Sequence, residues 1–199
     1  MFKEPNIDEN RKLEYALTRD ITNFRGLKEY KEFLEIPITR KFLGEKVLDL
    51  GSGVSSRFTK EAAEQGIEIY SLSPAFIKPE LRELRRGKNL KDVPTAGLAQ
   101  NLPYKSNVFD SILSVWAIPA HLPQDKKNYI ESFKEIVRVL KPGGKAFLAP
   151  IVPSIFDFDL ANQAIREIKK EQPIKNRFKE GRRGTILILT KPEEKNEHK

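Results

Sequence analysis

The stretch Lys46-Val47-Leu48-Asp49-Leu50-Gly51-Ser52-Gly53-Val54-Ser55 constrains the fold most. Val47, Leu48 and Leu50 suit a core strand. The strand ends in an acid and breaks into a turn. Gly51 and Gly53 let the backbone turn sharply and leave room for a ligand to approach it. Ser55 and Ser56 can cap a helix over 57–65. A strand, a glycine turn and a helix N-terminus in that order form a ligand cradle at the carboxyl edge of a parallel sheet.

The segments around this stretch supply the rest of such a sheet. Residues 67–72, 93–99, 109–116 and 145–151 read as further strands, with 109–116 the strongest by composition. Helices are expected over 57–65, 74–86 and 124–140, the last with Ile130, Phe133, Ile136, Val137 and Leu140 on one face and stopped by Pro142-Gly143-Gly144. Before the first strand, residues 11–20 and 26–36 carry apolar residues at helical spacing and are expected to pack against the sheet. Were they a lid instead, Tyr15, Phe24 and Tyr30 would be substrate contacts. After the fifth strand, a helix over 157–171 precedes two short runs, 174–179 and 185–190, separated by Glu180-Gly181-Arg182-Arg183-Gly184. That spacing predicts an antiparallel hairpin. The alternation of strand and helix predicts a doubly wound α/β sheet, mostly parallel and seven-stranded, with this hairpin at its C-terminal end.

No repeat or linker divides the 199 residues, so one domain is expected over 1–199. Within it, 1–44 are N-terminal helices, 45–151 the ligand-binding βα units, 152–190 the last helix and hairpin, and 191–199 a charged tail. There is no cysteine, which excludes disulfides, thiolate metal sites and cysteine nucleophiles; this fits a cytoplasmic protein. No apolar run reaches the ~20 residues that cross a bilayer. The N-terminus lacks the apolar segment of a signal peptide. The net charge of +8 permits an anionic partner, nucleic acid included, without identifying one.

With these elements in place, the chain resembles the class I S-adenosylmethionine-dependent methyltransferases, in their small-molecule branch. Asp49-Leu50-Gly51-Ser52-Gly53 resembles the family's first motif. Ala99-Gln100-Asn101-Leu102-Pro103-Tyr104 with Asn107-Val108-Phe109-Asp110 resembles its signature after the third strand, and Arg138-Val139-Leu140-Lys141-Pro142-Gly143-Gly144 a third motif. Order and spacing match, over roughly 40 to 190. The dinucleotide fingerprint fits less well, because its third glycine is replaced by Ser56 and the second strand ends without an acid.

The resemblance implies S-adenosylmethionine as cofactor and methyl transfer to a small-molecule acceptor. It implies that Asp49, Gly51, Ser52 and Gly53 hold the methionine end. Ser71, Leu72 and Ser73 would face the ribose, Leu98, Ala99 and Gln100 the adenine, and Ser114 and Trp116 the reacting methyl. His121 is the candidate general base, and Asp157 and Asp159 read as helix caps. The sequence departs from the family at two positions. The acid that ends the second strand is Ser71 or Ser73, depending on alignment, and the acid after the third strand is Leu98. A hydrogen bond to a charged group contributes about 1.5–3 kcal/mol, so losing a bidentate carboxylate weakens binding by roughly 10²- to 10⁴-fold. Two other readings therefore stand beside the enzyme. One is a methyltransferase-like domain with altered cofactor binding, acting as a partner subunit. The other is an RNA-directed protein using two basic clusters, Lys78 to Lys91 and Lys175 to Arg183.

Overall fold

A computed structural model describes residues 25–53, 57–74, 95–152 and 157–193. The expected helices over 11–20 and 74–86, Tyr15, Phe24, Ser55, Ser56, the cluster from Lys78 to Lys91, and 194–199 lie outside the described residues.

The described elements follow the expected alternation: α1 (Leu27–Leu34), α2 (Arg40–Leu43), β1 (Val47–Leu50), α3 (Arg57–Ala63), β2 (Ile69–Ser73), β3 (Thr95–Ala96), β4 (Phe109–Val115), α4 (Lys126–Val139), β5 (Leu140–Ile151), α5 (Phe158–Glu171), β6 (Lys175–Lys179) and β7 (Thr185–Thr190). The seven strands form one sheet in the order β3-β2-β1-β4-β5-β7-β6. β1 pairs in parallel with β2 and β4, and β4 with β5. β7 is antiparallel to both β5 and β6, so the C-terminal hairpin closes the sheet as expected. The order reverses at β1, whose two neighbours are reached by crossovers of opposite direction. Such a switch point opens a crevice at the carboxyl ends of the strands.

Each face of the sheet carries its own apolar core. On one, Leu48, Leu50, Leu72 and Ile112 meet Phe133, Ile136 and Val137 of α4 and Ala164, Ile165 and Ile168 of α5. On the other, Val47, Ile69, Leu113 and Val115 meet Leu27, Tyr30 and Leu34 of α1 and Phe58 and Ala62 of α3. The period of two along the strands and of three to four along the helices produces this division. Caps fix the helix starts. Asp125 accepts from Asn128 N (2.8 Å) at α4, and Asp157 from Leu160 N (2.8 Å) at α5. Asp157 is thus a cap, as its sequence context suggests.

Three expectations need correction. Helix α4 ends at Val139, and β5 begins at once with Leu140, whose backbone is extended (φ −67°, ψ 140°). Pro142-Gly143-Gly144 therefore lies inside the strand. The segment beyond β7 pairs with it there: Gly143 N donates to Lys191 O (2.8 Å) and Lys191 N to Gly144 O (3.0 Å). The third strand is described only at Thr95–Ala96. Leu98, Ala99 and Gln100 form a turn closed by Asn101 N donating to Leu98 O (3.1 Å). Helix α1 ends at Leu34, where Glu35 takes a left-handed conformation (φ 48°), and a separate short helix, α2, follows Pro37 with Thr39 as its cap.

Candidate active site

The crevice is built around the glycine turn. Gly51 N and Ser52 N both donate to Leu72 O (2.9 and 3.0 Å), tying the end of β1 to the end of β2. Gly51 and Gly53 have φ of 85° and 71°, which glycine alone adopts without strain. A Cβ on Gly51 would stand 2.2 Å from Ala117 Cβ, in the loop after β4. Glycine at this position therefore lets two strand ends close on one space. From the other side, Arg25 Nη2 donates to Gly51 O (3.4 Å).

The space is a cavity of about 690 Å³, within the range of small-molecule sites. Of the residues singled out from sequence, Gly51, Gly53, Leu72, Ser73, Leu98, Ala99, Gln100, Trp116 and His121 line it. Asp49, Ser52, Ser71 and Ser114 do not. Ser52 Oγ turns to Gly53 O and Leu72 O, at 3.3 and 3.4 Å. Ser71 Oγ is hydrogen-bonded to Thr59 Oγ1 on α3. Ser114 is fully buried, and its hydroxyl accepts from Ile118 N (2.9 Å), which shapes the loop after β4. Sequence reasoning missed Arg25 and Gly97. Arg25 precedes α1 by two residues and carried no motif. A Cβ on Gly97 would sit 3.0 Å from Leu72 Cδ1 and 3.1 Å from Pro103 Cδ, so glycine lets the exit of β3 lie close against the cavity wall.

Asp49 is buried beneath α1. Tyr30 Oη donates to its Oδ1, and the Tyr30 ring stacks on Phe58 of α3 at 3.7 Å and 2°. Tyr30 is therefore a packing residue that bridges α1, β1 and α3. Burial raises the Asp49 pKa to about 7, with the Tyr30 hydrogen bond and the Arg25 charge opposing the rise. Burial and the neighbouring Asp49 push the Tyr30 hydroxyl well above its ordinary range. No carboxylate lines the cavity among the described residues, and no group of His, Asp and Glu there is placed to hold a metal.

Trp116 follows β4 with a left-handed backbone (φ 54°), a genuine outlier for a bulky residue. Trp116 N donates to Ala149 O (2.8 Å), and the indole meets Phe33 of α1 edge to face at 5.7 Å. The backbone is thus tied to β5 and the ring abuts α1, and the residue still has 37% of its surface exposed. In the hairpin, Lys179 pairs with Glu35 (3.3 Å) and Arg183 with Glu32 (2.9 Å), so part of that basic cluster is spent on docking to α1.

These features suit a nucleoside-sized ligand carrying an amino-acid tail. An apolar slot lies between Leu72, Leu98 and Ala99, with a glycine turn beside it that tolerates close approach. Residues 48–148 match the sequence profile of the family described as "Methyltransferase domain". The chain belongs to that family. Its members are expected to use S-adenosylmethionine. The chain is 28% identical over 151 residues to the ubiquinone/menaquinone biosynthesis C-methyltransferase of Haemophilus ducreyi, covering 72% of this chain and 55% of that one. It is 36% identical over 119 residues to the demethylmenaquinone methyltransferase of Corynebacterium urealyticum, covering 55% of this chain and 45% of that one. The chain thus spans about half the length of these relatives. Among solved structures, it resembles a TehB-like SAM-dependent methyltransferase from Corynebacterium glutamicum. There the TM-score is 0.61 at 15% identity, over 96% of this chain and 100% of the other. This last likeness concerns the fold, which is the Rossmann-like methyltransferase sheet.

Proposed function

We propose that the protein transfers the methyl group of S-adenosylmethionine to a small-molecule acceptor. The observation that carries this reading is the cavity over the carboxyl ends of β1, β2, β3 and β4, with the glycine turn in its lining. Members of the family with similar sequences bear the names of quinone methyltransferases. When bound, S-adenosylmethionine supplies a methyl group on a sulfonium; an acceptor lone pair forms the new bond to that carbon as the carbon–sulfur bond breaks, leaving the neutral thioether S-adenosylhomocysteine.

The protein's own part is to bind and to orient. Gly51 and Gly53 admit the amino-acid tail close to the backbone. Leu72, Leu98 and Ala99 pack on the base, and Ser73, at the end of β2 and in the cavity lining, faces the ribose. Trp116 walls the end of β4. Holding two reactants in attack geometry supplies up to about 7–11 kcal/mol. The apolar lining excludes water around the reacting centre. His121 lines the cavity, where it serves as the base that takes an acceptor's proton.

One observation favours a second reading. Ser71 bonds to Thr59 instead of facing the cavity, and the described lining offers no carboxylate for ribose hydroxyls. A methyltransferase-like domain with altered ligand binding, acting beside a partner, would have this character. Calorimetric titration with S-adenosylmethionine and with S-adenosylhomocysteine separates the two. Micromolar binding is the expected result. Silence up to millimolar ligand would remove the enzyme reading in favour of the second.

A further inference from the structure

The indole of Trp116 has two supports. Its backbone N–H is bonded to Ala149 O near the end of β5, and its ring abuts Phe33 in the last turn of α1. The turn at 180–184, which joins β6 to β7, reaches both.

On the α1 side the contacts fall to either side of Phe33. Arg182 N donates to Glu35 Oε1 (2.6 Å), and Lys179 Nζ to Glu35 Oε2 (3.3 Å). The Arg183 guanidinium donates to Glu32 Oε2 (2.9 Å) and lies 5.7 Å from the centroid of the Phe33 ring. On the β5 side the contact is backbone. Leu148 pairs with Leu187 and Ile151 with Thr185, so two residues of β5, Ala149 and Pro150, face one of β7, Ile186. Such a bulge bends a strand and re-aims what it carries. The hairpin turn closes on it: a Cβ on Gly184 would stand 3.1 Å from Pro150 Cβ and 3.2 Å from Ile151 O.

An isolated surface ion pair adds little stability. The weight of these contacts is geometric. They fix one helix end and one bulge, and the indole is anchored to both. Trp116 also has a left-handed backbone (φ 54°), and strain of that kind persists only where the surroundings over-determine it.

We propose that the turn of the C-terminal hairpin positions the cavity wall at the end of β4, with Arg183 as the positioning residue. Arg183 holds Phe33, and Phe33 sets the angle at which the Trp116 indole meets the cavity. That this wall faces the methyl acceptor rests on the methyltransferase reading; the positioning itself does not. A change in the hairpin then alters how an acceptor seats and leaves the donor's site as it was.

Trp116 is the chain's one tryptophan, so labelling with 5-fluorotryptophan places one ¹⁹F resonance on the wall. Spectra are compared for the full chain and its Arg183→Gln, Arg183→Lys and Glu32→Gln variants. Lys134→Gln is the control, since it removes a surface ion pair (Lys134–Glu171, 2.6 Å) on the opposite face of the sheet. Arg183→Gln should move the resonance by more than its native linewidth and broaden it about twofold, as an indole exchanging between orientations does. Glu32→Gln frees Arg183 from the other side and should move the resonance in the same direction. Arg183→Lys keeps the cation and should stay nearer the native position. Lys134→Gln should leave the resonance in place. S-adenosylhomocysteine affinity, read by calorimetry, should stay within about twofold in every variant. An unchanged resonance in both Arg183→Gln and Glu32→Gln, or an equal change in Lys134→Gln, would overturn the proposal. So would a loss of S-adenosylhomocysteine affinity in Arg183→Gln, since the hairpin would then act on the whole cavity. If S-adenosylhomocysteine does not bind the native chain either, the methyltransferase reading falls, and the ¹⁹F comparison still decides the positioning.

Discussion

The two edges of the sheet treat an aspartate in opposite ways. At the amino edge, Asp110 at the start of β4 accepts from Lys46 N (2.8 Å) and Glu45 N (3.1 Å) and pairs with Lys141 (2.6 Å). These partners outweigh its desolvation and hold its carboxyl below the usual range. At the carboxyl edge, Asp49 lies near the end of β1 under α1 and accepts from the Tyr30 hydroxyl, and burial lifts it to about 7. Close by, Ser111 Oγ donates to Leu43 O (2.7 Å) at the amino edge, again a satisfied contact. Left-handed glycines stand at both edges, Gly51 and Gly53 at the carboxyl edge and Gly44 and Gly143 at the amino edge; what the carboxyl edge adds is a left-handed tryptophan beside the cavity of about 690 Å³. One edge is built for holding the fold, and the other departs from the easiest packing around the space that a ligand would fill.

The largest test of that difference uses two glycines. A Cβ on Gly51 would stand 2.2 Å from Ala117 Cβ on a left-handed backbone, whereas one on Gly144 would stand 2.8 Å from Lys141 O at the amino edge. Overpacking costs about 1–3 kcal/mol, and strain at Gly51 adds about as much again. Both Gly51→Ala and Gly144→Ala should therefore lower the denaturation midpoint. Only Gly51→Ala should also lower S-adenosylhomocysteine affinity, by about 100-fold or more, roughly 3 kcal/mol. Equal loss of affinity in both variants would mean that the edges are not functionally distinct.

The two aspartates set the next test through pH. An unfolded Asp loses its proton near 3.8, and the folded Asp49 keeps it to about 7. The native state holds the extra proton between those values, so stability falls as pH rises through that window, by up to about 4 kcal/mol. Asp110 acts in reverse. Its folded value is depressed, so its contribution is present above the ordinary carboxylate range and is lost as pH falls through the folded value. Urea unfolding from pH 4 to 8 should show the neutral-side decline flattened in Asp49→Asn and kept in Asp110→Asn. At neutral pH, Asp110→Ala should cost about 1 kcal/mol, since solvent screens part of its ion pair, with ligand affinity unchanged.

The sequence made the amino edge's role hard to see and the carboxyl edge's place easy. Strands such as β4 and β7 are legible because their runs are apolar and bounded by turn residues. The glycine turn is legible because few other sequences allow such a bend, and the hairpin because Gly181 and Gly184 separate two β-rich runs. What the sequence hides is side-chain direction and long-range pairing. Asp49 stands in a motif, yet its partner Tyr30 lies on a helix that precedes it by 19 residues. Ser71 is one of the two positions where an acid is expected, yet its hydroxyl turns to Thr59. Pro142-Gly143-Gly144 looks like a stop, but pairing with Lys191 draws it into β5. Arg25 carries no local pattern at all, because its relevance comes from where α1 docks.

The smallest effect concerns how the tryptophan wall is held. Phe33 links it to the hairpin: the Trp116 ring meets Phe33 on one side, and the Arg183 guanidinium lies 5.7 Å from the Phe33 centroid on the other. An edge-to-face aromatic pair contributes about 0.5–1.5 kcal/mol beyond its buried area. Phe33→Leu keeps an apolar side chain of similar reach and removes that pair. It should lower stability by about that amount, broaden or split the single ¹⁹F resonance of protein labelled with 5-fluorotryptophan at Trp116, the one tryptophan, and leave S-adenosylhomocysteine affinity within about twofold, since the donor's expected seat over β1 to β3 does not touch Phe33. A single sharp resonance in Phe33→Leu would show that the Ala149 hydrogen bond and the left-handed backbone suffice to fix the indole. The wall would then be set from the sheet alone, and Arg25, just before α1, would be what this end of the chain brings to the cavity.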